Sequence, residues 1–200
     1  MSARESIRLV FLLEEQSAMY FLKALLPEIL PAHVDLEFIP HQGKSDLQRS
    51  IKKGVLKLKK WHNLPSFFVI LHDQDSHDCI ALKKDLRDLC NRTRVAHQPL
   101  IRIACRELEA WYFGDLDAVE SVFPNFRADR HKNKAKYRNP DQIHKPSKVL
   151  QKIVKGFRKS DAAKRIPHYM NLANNKSASF NAMLEGVTKF ANDCLHACKP

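Results

Sequence analysis

One stretch near the middle of the chain, FFVILHDQDSHD at residues 67–78, limits the possible folds more than any other. Five consecutive apolar residues (67–71) run directly into polar ones, which is typical of a strand buried on both faces, as in a parallel sheet. Parallel sheets place their ligand sites just beyond the carboxyl ends of their strands. Asp73 and Asp75 follow this strand at once. The stretch therefore predicts an α/β fold and the edge of the sheet where chemistry would occur.

The two aspartates have two interpretations. If the chain is still extended there, residues two apart point to the same side, and their carboxylates repel each other unless a cation or a proton lies between them. Mg²⁺ or Mn²⁺ is the natural cation for such oxygens. Alternatively, the aspartates form a turn and a helix N-cap, which commonly follow a strand. The spacing alone leaves both interpretations open.

Apolar runs and helical spacings alternate along the first 125 residues in the order βαβαβαβα. This order predicts a mostly parallel, Rossmann-like four-stranded sheet with helices on both faces. The second strand alternates apolar and acidic residues, which indicates one solvent-exposed face and a position at the edge of the sheet. The predicted strands are Ile7–Leu13 and residues 34–39, 67–71 and 100–104, and the predicted helices are residues 18–30 after Ser17, 46–61 after Ser45, Cys79–Arg92 after Asp78, a helix from Glu107, and Leu116–Val122.

After residue 125 the strand signals stop. We expect residues 126–144 to form a basic loop, and residues 149–156, 160–170 and 181–197 to form helices, with Ser179 as a possible cap. Residues 1–125 are thus the predicted α/β core, and residues 126–200 a helical extension packed on it within one structural domain. No apolar run approaches the length of a membrane span.

The charge of the chain is concentrated in one region. The net charge is +12, and residues 127–165 alone contain fourteen Lys and Arg against three Asp, a net of +11. Such a block indicates a polyanionic partner, most simply nucleic acid, although a solvated basic surface has the same composition. The five cysteines are odd in number and irregularly spaced, which favours a reducing cytoplasm. The predicted nucleic-acid contacts are Lys132, Lys134, Lys136, Arg138, Lys145 and Lys148.

Acidic residues follow three of the predicted strands. Glu14 ends the first, Asp73 and Asp75 end the third, and Glu107 and Glu109 follow the fourth. In a parallel sheet these ends lie at one edge. Acids there predict a site for one or two divalent metals, which phosphoryl transfer uses to neutralise phosphate and activate water. Glu109 is expected to face the fold and Glu107 to cap a helix or pair with an arginine.

These residues also carry a resemblance. A glutamate after strand one and Asp-x-Asp after a later strand resemble the Toprim fold of topoisomerases, primases and overcoming-lysogenization-defect (OLD) nucleases. In detail the chain is similar to a Toprim-like bacterial family, domain of unknown function 4276. The matching stretches are Asp73–Cys79 with Leu82-Lys83, Arg106–Trp111 with Gly114-Asp115, Asn139–Asp141 with Pro146-Ser147 and Leu150, and Ser177–Phe180.

The resemblance implies roles for single residues. Glu14 would be the Toprim glutamate, a metal ligand or general base, Asp73 and Asp75 would be metal ligands, and Glu109 would complete a second metal position. Glu15 stands where relatives tend to have glycine, and His72 where they tend to have arginine. Lys145 and Lys148, in the basic block, are either solvated surface lysines or ligands of a scissile phosphate, and the resemblance to OLD-type sites adds the role of a base for one of them. The resemblance also implies an ATPase partner of the ABC or AAA type in anti-phage or DNA-maintenance systems.

Three functions compete at this point. The first is a metal-dependent nuclease that cuts DNA or RNA, with DNA the favoured substrate and with Glu14, Asp73, Asp75 and Glu109 as catalytic and metal-binding residues. The second is a non-catalytic subunit that binds nucleic acid or a partner on the same scaffold. The third, an aspartyl phosphatase, is disfavoured because its Asp-x-Asp motif normally ends the first strand. The roles of His72, His77 and Glu107 stay open between chemistry and structure.

Overall fold

A four-stranded parallel sheet forms the centre of the protein, whose computed structural model describes residues 6–58, 63–95 and 97–198. The order of the strands is β2-β1-β3-β4, and each neighbouring pair is parallel. The predicted α/β fold is therefore confirmed, including the edge position of the second strand, which has one solvent-exposed face. The strands are β1 (Ile7–Leu13), β2 (Val34–Pro40), β3 (Ser66–Asp73) and β4 (Leu100–Ala104).

Helices cover both faces of the sheet, because alternate side chains of the buried strands need apolar partners on each side. On β3, Phe67, Val69 and Leu71 join the core that contains α1 (Gln16–Leu25) and α8 (Ala178–Ala197), whereas Phe68 and Ile70 join the core formed with α2 (Lys44–Lys52) and α3 (Cys79–Arg92). The helices of the first half are α1 (Gln16–Leu25), α2 (Lys44–Lys52), α3 (Cys79–Arg92), α4 (Ala110–Phe113) and α5 (Leu116–Val122).

The C-terminal part shares the larger of these two cores. Helix α7 packs on α1 and α8 packs on β4, and one cluster of buried side chains contains residues from both parts of the chain. Between α5 and α6 the chain forms three short 3-10 turns instead of a longer helix. The elements of this part are the turns Ala128–Arg130, Ala135–Tyr137 and Pro140–Gln142, the helices α6 (Pro146–Ile153), α7 (Lys159–Arg165) and α8 (Ala178–Ala197), and the turn Ile166–Tyr169.

Two predicted helices are shorter than expected. Helix α1 ends at Leu25 and continues as a 3-10 turn, because Pro27 has no N–H for the next helical hydrogen bond. Helix α2 ends at Lys52, because Gly54 adopts a left-handed conformation (φ 86°) that reverses the chain. Leu58, an apolar residue inside the predicted helix 46–61, is 43% exposed instead of packed in the core. The predicted helical residues 59–61 lie outside the described residues.

Of the predicted N-caps of α3 and α8, the first is confirmed and the second is wrong. Asp78 caps α3 as predicted, and its carboxylate accepts a hydrogen bond from the Ala81 amide at 2.8 Å. Helix α8 begins at Ala178, earlier than predicted, and its cap is Ser177 rather than Ser179. Among the described residues, no helix is both long and apolar enough to cross a membrane.

Candidate metal centre

Three of the predicted acidic residues meet at the carboxyl edge of the sheet. Asp73 is the last residue of β3, Glu14 follows the neighbouring β1, and Glu109 lies at the start of α4, after β4. The Asp73 amide donates a hydrogen bond to Oε2 of Glu14 at 3.2 Å, and Oδ1 of Asp73 accepts one from the Leu108 amide at 3.1 Å. We call Glu14, Asp73 and Glu109 the acid cluster.

The acid cluster is short of positive charge. Burial raises the pKa of Asp73 well above its ordinary value, and repulsion from Glu109 and Glu14 raises it further. Burial also raises the pKa of Glu109 to about 7 and that of Glu14 above its ordinary value, although Lys159 and His72 respectively oppose these shifts. Buried carboxylates that repel one another are stabilised by a cation or by a proton between them.

Lys159, at the first position of α7, brings an ammonium group to the cluster. Its Nζ lies 3.5 Å from Oε1 of Glu109 and 3.2 Å from Oε2 of Glu15. Burial alone would lower the pKa of Lys159, but Glu109, Glu15 and Asp73 outweigh it and the pKa is raised. The ammonium group is therefore a fixed positive charge that faces several carboxylates.

Lys159 is absent from the residues predicted for the site, because in the sequence it is one of many cations in the basic block. A signal was nevertheless present. Lys159, Ala162, Ala163 and Ile166 share the helical spacing of one face, and the last three are fully buried. A lysine at a core position of an amphipathic helix needs a buried acidic partner, and Glu109 is that partner.

Two polar atoms on the α4 side of the acid cluster lack hydrogen bonds within the described residues. Oε2 of Glu109 and the hydroxyl of Tyr112 are buried and have no partner among the described residues. Burial raises the pKa of Tyr112, and the charges of Glu109 and Asp73 raise it further. Unsatisfied buried polar atoms are rare in proteins and often mark the place of a ligand or ion. In the described part of the chain, however, no three His, Cys, Asp or Glu side chains are arranged to hold a metal ion.

Asp75 does not lie beside Asp73 as the extended interpretation requires. The strand ends at Asp73, and Asp75 adopts a left-handed conformation with φ of 53°. Its exposed carboxylate lies 3.5 Å from Nζ of Lys44, at the start of α2. The Asp75 charge raises the pKa of Glu14, so the two carboxylates repel each other across the edge of the sheet. Asp75 is thus a rim residue, on the solvent side of the acid cluster.

The two histidines next to the aspartates differ in their surroundings. The Nδ1 atom of His72 lies 3.0 Å from Oε2 of Glu14 and 2.6 Å from the Asp73 carbonyl oxygen, and the side chain is buried. His72 therefore orients Glu14. Its Nε2 atom has no hydrogen-bond partner among the described residues. His77 is exposed and closes a turn with Gln74, whose side-chain amide donates to the His77 carbonyl oxygen at 2.9 Å.

Glu107 has a structural partner. Its Oε2 accepts a hydrogen bond from the Ser147 amide at 2.9 Å, in the first turn of α6. A carboxylate there satisfies a free helix amide and faces the positive end of the helix dipole. Glu107 thus caps a helix, as the sequence suggested, but this helix is α6 rather than its own. Lys145 and Lys148 are exposed at the same helix start, and Lys159 is the lysine that contacts Glu109.

The other predicted nucleic-acid contacts lie on the 3-10 turns between α5 and α6. Lys134, Lys136 and Arg138 are exposed, with the Lys136 ammonium 4.8 Å from the centre of the Tyr137 ring. Lys132 is already paired, at 2.6 Å from Asp129 and 3.4 Å from Asp117. Lys132 therefore has less charge to offer a phosphate than the other three.

The remaining sequence motifs form a polar network that holds the C-terminal part on the core. The Asp141 carboxylate accepts hydrogen bonds from the Ser177 hydroxyl at 2.6 Å, the Ser179 amide at 2.8 Å and the Ser179 hydroxyl at 3.0 Å. The Trp111 indole N–H donates to the Ser179 hydroxyl at 2.9 Å. Asn175 joins the network through the Trp111 carbonyl oxygen at 3.0 Å. These residues build the support of the acid cluster, since Trp111 lies two positions after Glu109.

Gly114 is required by this network, and we expect Gly114→Ala to lower the free energy of unfolding by about 2 kcal/mol. A Cβ atom at Gly114 would overlap the side chain of buried Asn175, whose Oδ1 accepts the Ser177 amide at 2.8 Å. Urea denaturation followed by circular dichroism measures the change. Gly186→Ala is the control, with a change below about 1 kcal/mol, because only the end of the Arg102 side chain must move there. Equal losses in both variants would contradict this account.

Comparisons with known proteins agree with this architecture. The C-terminal region of the Burkholderia pseudomallei OLD protein has a similar fold, with a TM-score of 0.51 and 16% sequence identity over 96% of this chain and 100% of that one. No curated protein matches the sequence. The profile of the family "Domain of unknown function (DUF4276)" matches residues 13–188. Because this match spans most of the sequence, the chain belongs to the DUF4276 family.

Proposed function

We propose that this protein is a divalent-metal-dependent nuclease of the Toprim type, which hydrolyses phosphodiester bonds at the acid cluster. One observation carries the proposal most directly: Glu14, Asp73 and Glu109 lie together at the carboxyl edge of a parallel sheet, and burial raises the pKa of each. Mutually repelling carboxylates cost folding free energy, so stability alone does not account for them. The similar fold of the OLD protein region supports the same interpretation.

The acid cluster fits Mg²⁺ or Mn²⁺ by its chemistry. Its donors are carboxylate oxygens, which hard divalent cations prefer, and Oε2 of Glu109 has no other partner among the described residues. Glu14, Asp73 and Glu109 would hold the metal, with Asp75 at the rim. When bound, such a metal neutralises phosphate and lowers the pKa of an attacking water. A divalent charge would also balance the negative charge that Lys159 alone leaves in excess.

The other residues of the site would act by position and charge. His72 and the Asp73 amide both hold Oε2 of Glu14, and the Leu108 amide fixes one oxygen of Asp73. The ammonium of Lys159, close to Glu109, would stabilise the negative charge that develops on a phosphate in the transition state. Hydrogen bonds to backbone and buried partners keep these groups in place before a substrate arrives.

We further propose a cellular setting for this reaction. The excess of positive charge suits a nucleic acid, and the resemblance to Toprim enzymes favours DNA over RNA. The family resemblance suggests an effector or subunit of a cytoplasmic anti-phage or DNA-maintenance system that acts with an ABC- or AAA-type ATPase. Co-purification of the tagged chain with an ATPase from its native cells would support this setting, and clean isolation without one would oppose it.

Cleavage of supercoiled plasmid tests the nuclease directly. We expect the wild type to nick plasmid with Mn²⁺ or Mg²⁺ and to be inactive with EDTA. Glu109→Gln should lose roughly 100-fold in rate, because it removes one buried carboxylate and keeps the size of the side chain. Asp193→Asn, at an exposed acid of α8 that is paired with Lys189, is the matched control and should cleave like the wild type. Wild-type inactivity with every metal, alone and with the partner ATPase, would refute the proposal.

A non-catalytic subunit is the second candidate, and one observation favours it. Lys159 already neutralises Glu109 and Glu15, and no ready set of three metal ligands exists among the described residues. In that case the acid cluster only holds α7 against the core. Nucleic-acid binding would then be unchanged by Glu109→Gln and by EDTA, and no cleavage would accompany it.

A further inference from the structure

A shallow groove on the α2–α3 side of the sheet is lined by positive charges. Its volume is about 410 Å³, and Lys52, Lys53, Lys57 and Arg92 line it together with Gly54, Leu89 and Thr93. All four cations are exposed, and none has an ion pair within the described residues. No acidic residue lines the groove, although α3, which carries Leu89 and Arg92, also contains Asp85 and Asp88. We call Lys52, Lys53, Lys57 and Arg92 the cationic groove.

The cationic groove holds more charge than helix stability explains. Lys52, Lys53 and Arg92 lie at the C-terminal ends of α2 and α3, where one cation opposite the helix dipole contributes about 0.3–1 kcal/mol. Four cations around one concavity repel one another, and this repulsion costs stability unless an anion is present. Leu89 and Thr93 add few polar groups that would orient a small molecule. The groove is therefore built for charge rather than for the shape of a compact ligand.

Helix α3 connects the region of the acid cluster with the cationic groove. Helix α3 begins beside the Asp73–Asp78 loop and ends at Arg92, so its fourteen residues separate the two places by about 20 Å at 1.5 Å per residue. One strand of a duplex advances 3.4 Å per nucleotide, so this distance corresponds to roughly six base pairs. Lys44 stands at the near end of α2, beside Asp75, and Lys52 and Lys53 stand at its far end.

We propose that the cationic groove binds the phosphate backbone of duplex DNA about half a helical turn from the acid cluster. This inference rests on the proposed function, because it assigns the substrate path for that site. It places the main contacts on α2 and α3, and not only on the basic turns between α5 and α6. The groove sets the direction of the duplex, and the acid cluster acts on a phosphate at its other end.

Binding without cleavage tests the groove. Fluorescence anisotropy with a labelled duplex in EDTA gives the Kd of the wild type and of a Lys52→Gln, Lys53→Gln, Arg92→Gln triple variant. We expect the Kd of this variant to rise at least about tenfold, and the slope of log K against log salt to shrink by about 0.9 for each phosphate that is no longer neutralised. A matched triple variant, Lys23→Gln, Lys176→Gln, Lys189→Gln, removes the same charge elsewhere and should bind within about twofold of the wild type.

The outcomes separate the groove from the nuclease. Wild-type affinity in the groove variant, an equal loss of affinity in the matched variant, or complete displacement of the duplex by inorganic pyrophosphate would each overturn the groove. Plasmid cleavage with Mn²⁺ is measured independently on the wild type. Cleavage with normal binding by the groove variant refutes the groove alone, whereas groove-dependent binding without cleavage in any metal refutes the nuclease alone.

Discussion

Asp73→Asn is expected to abolish metal-dependent cleavage, with a loss of at least about 1,000-fold, and at the same time to stabilise the metal-free protein. Asp73 lies between Glu14 and Glu109, and both charges raise its pKa. The amide of asparagine binds a divalent cation far more weakly than a carboxylate, because it has no charge. Activity should fall further than in Glu109→Gln, because Asp73 is the central carboxylate of the three and Glu109 already has Lys159 as a partner.

The gain in stability has a separate physical cause. Oδ1 of Asp73 accepts the Leu108 amide at 3.1 Å, and the oxygen of asparagine can keep this hydrogen bond. The substitution removes a buried negative charge that burial and two carboxylates disfavour. At pH 8 we expect the free energy of unfolding to rise by about 1–2 kcal/mol, which for a chain of this size raises Tm by roughly 2–8 °C.

Thermal unfolding with and without Mn²⁺ joins the two effects in one measurement. The wild type should gain Tm when Mn²⁺ is added, because the ion binds only the folded state, and Asp73→Asn should not. Asp129→Asn, at a carboxylate whose side chain is 84% exposed, is the matched control and should behave as the wild type. Undiminished cleavage by Asp73→Asn, or a clear loss of Tm, would contradict the assignment of Asp73 to a strained metal site.

The sheet and the position of the acid cluster were predictable because both depend on local patterns. The apolar runs of β1 and β3 are long enough that only a strand covered on both faces accommodates them. The acids directly after these runs then lie at one edge in any parallel arrangement. Glu14 and Asp73 follow from this logic, and Glu109 from the turn of the helix that begins there.

The extended interpretation fails at Asp75 for a different reason. Period-two reasoning assumes that the chain stays extended, and the left-handed conformation of Asp75 ends that assumption after Asp73. Its amide donates to the Arg106 carbonyl oxygen at 2.7 Å, and these two residues are 31 positions apart in the sequence. Arg106 is also left-handed, so the loop after β3 and the loop after β4 stabilise each other through this hydrogen bond. The sequence of either loop alone therefore does not predict the conformation of Asp75.

The partners of Lys159 and the network around Asp141 could not be predicted from spacing, since each contact joins segments far apart in the chain. Lys159 meets Glu15 across 144 positions, and Asp141 meets Ser177 across 36. Hydrogen bonds of this kind leave no period in a sequence. The resemblance marked Asp141, Ser177 and Ser179 as family positions, and the structure gives the physical reason: they fasten α8 to the residues that carry Glu109.

The largest effect on stability is expected for Asp141→Ala, with a loss of about 3–4 kcal/mol in the free energy of unfolding. The Asp141 carboxylate accepts three hydrogen bonds from Ser177 and Ser179, and bonds to a charged acceptor contribute about 1.5–3 kcal/mol each before relaxation. Alanine would leave the hydroxyls of two buried serines and the first turn of α8 without their acceptor.

Urea denaturation measures this loss, and Trp111 fluorescence reports it locally, because the Trp111 indole donates to Ser179. Asp193→Ala is the matched control: Asp193 lies on the exposed side of the same helix, paired only with Lys189 among the described residues, and its removal should cost less than about 0.5 kcal/mol. Asp141→Asn should fall between the two, since it keeps an acceptor oxygen but loses the charge. A cost below about 1 kcal/mol for Asp141→Ala would mean that water replaces the carboxylate, and that packing on β4, not this network, holds α8.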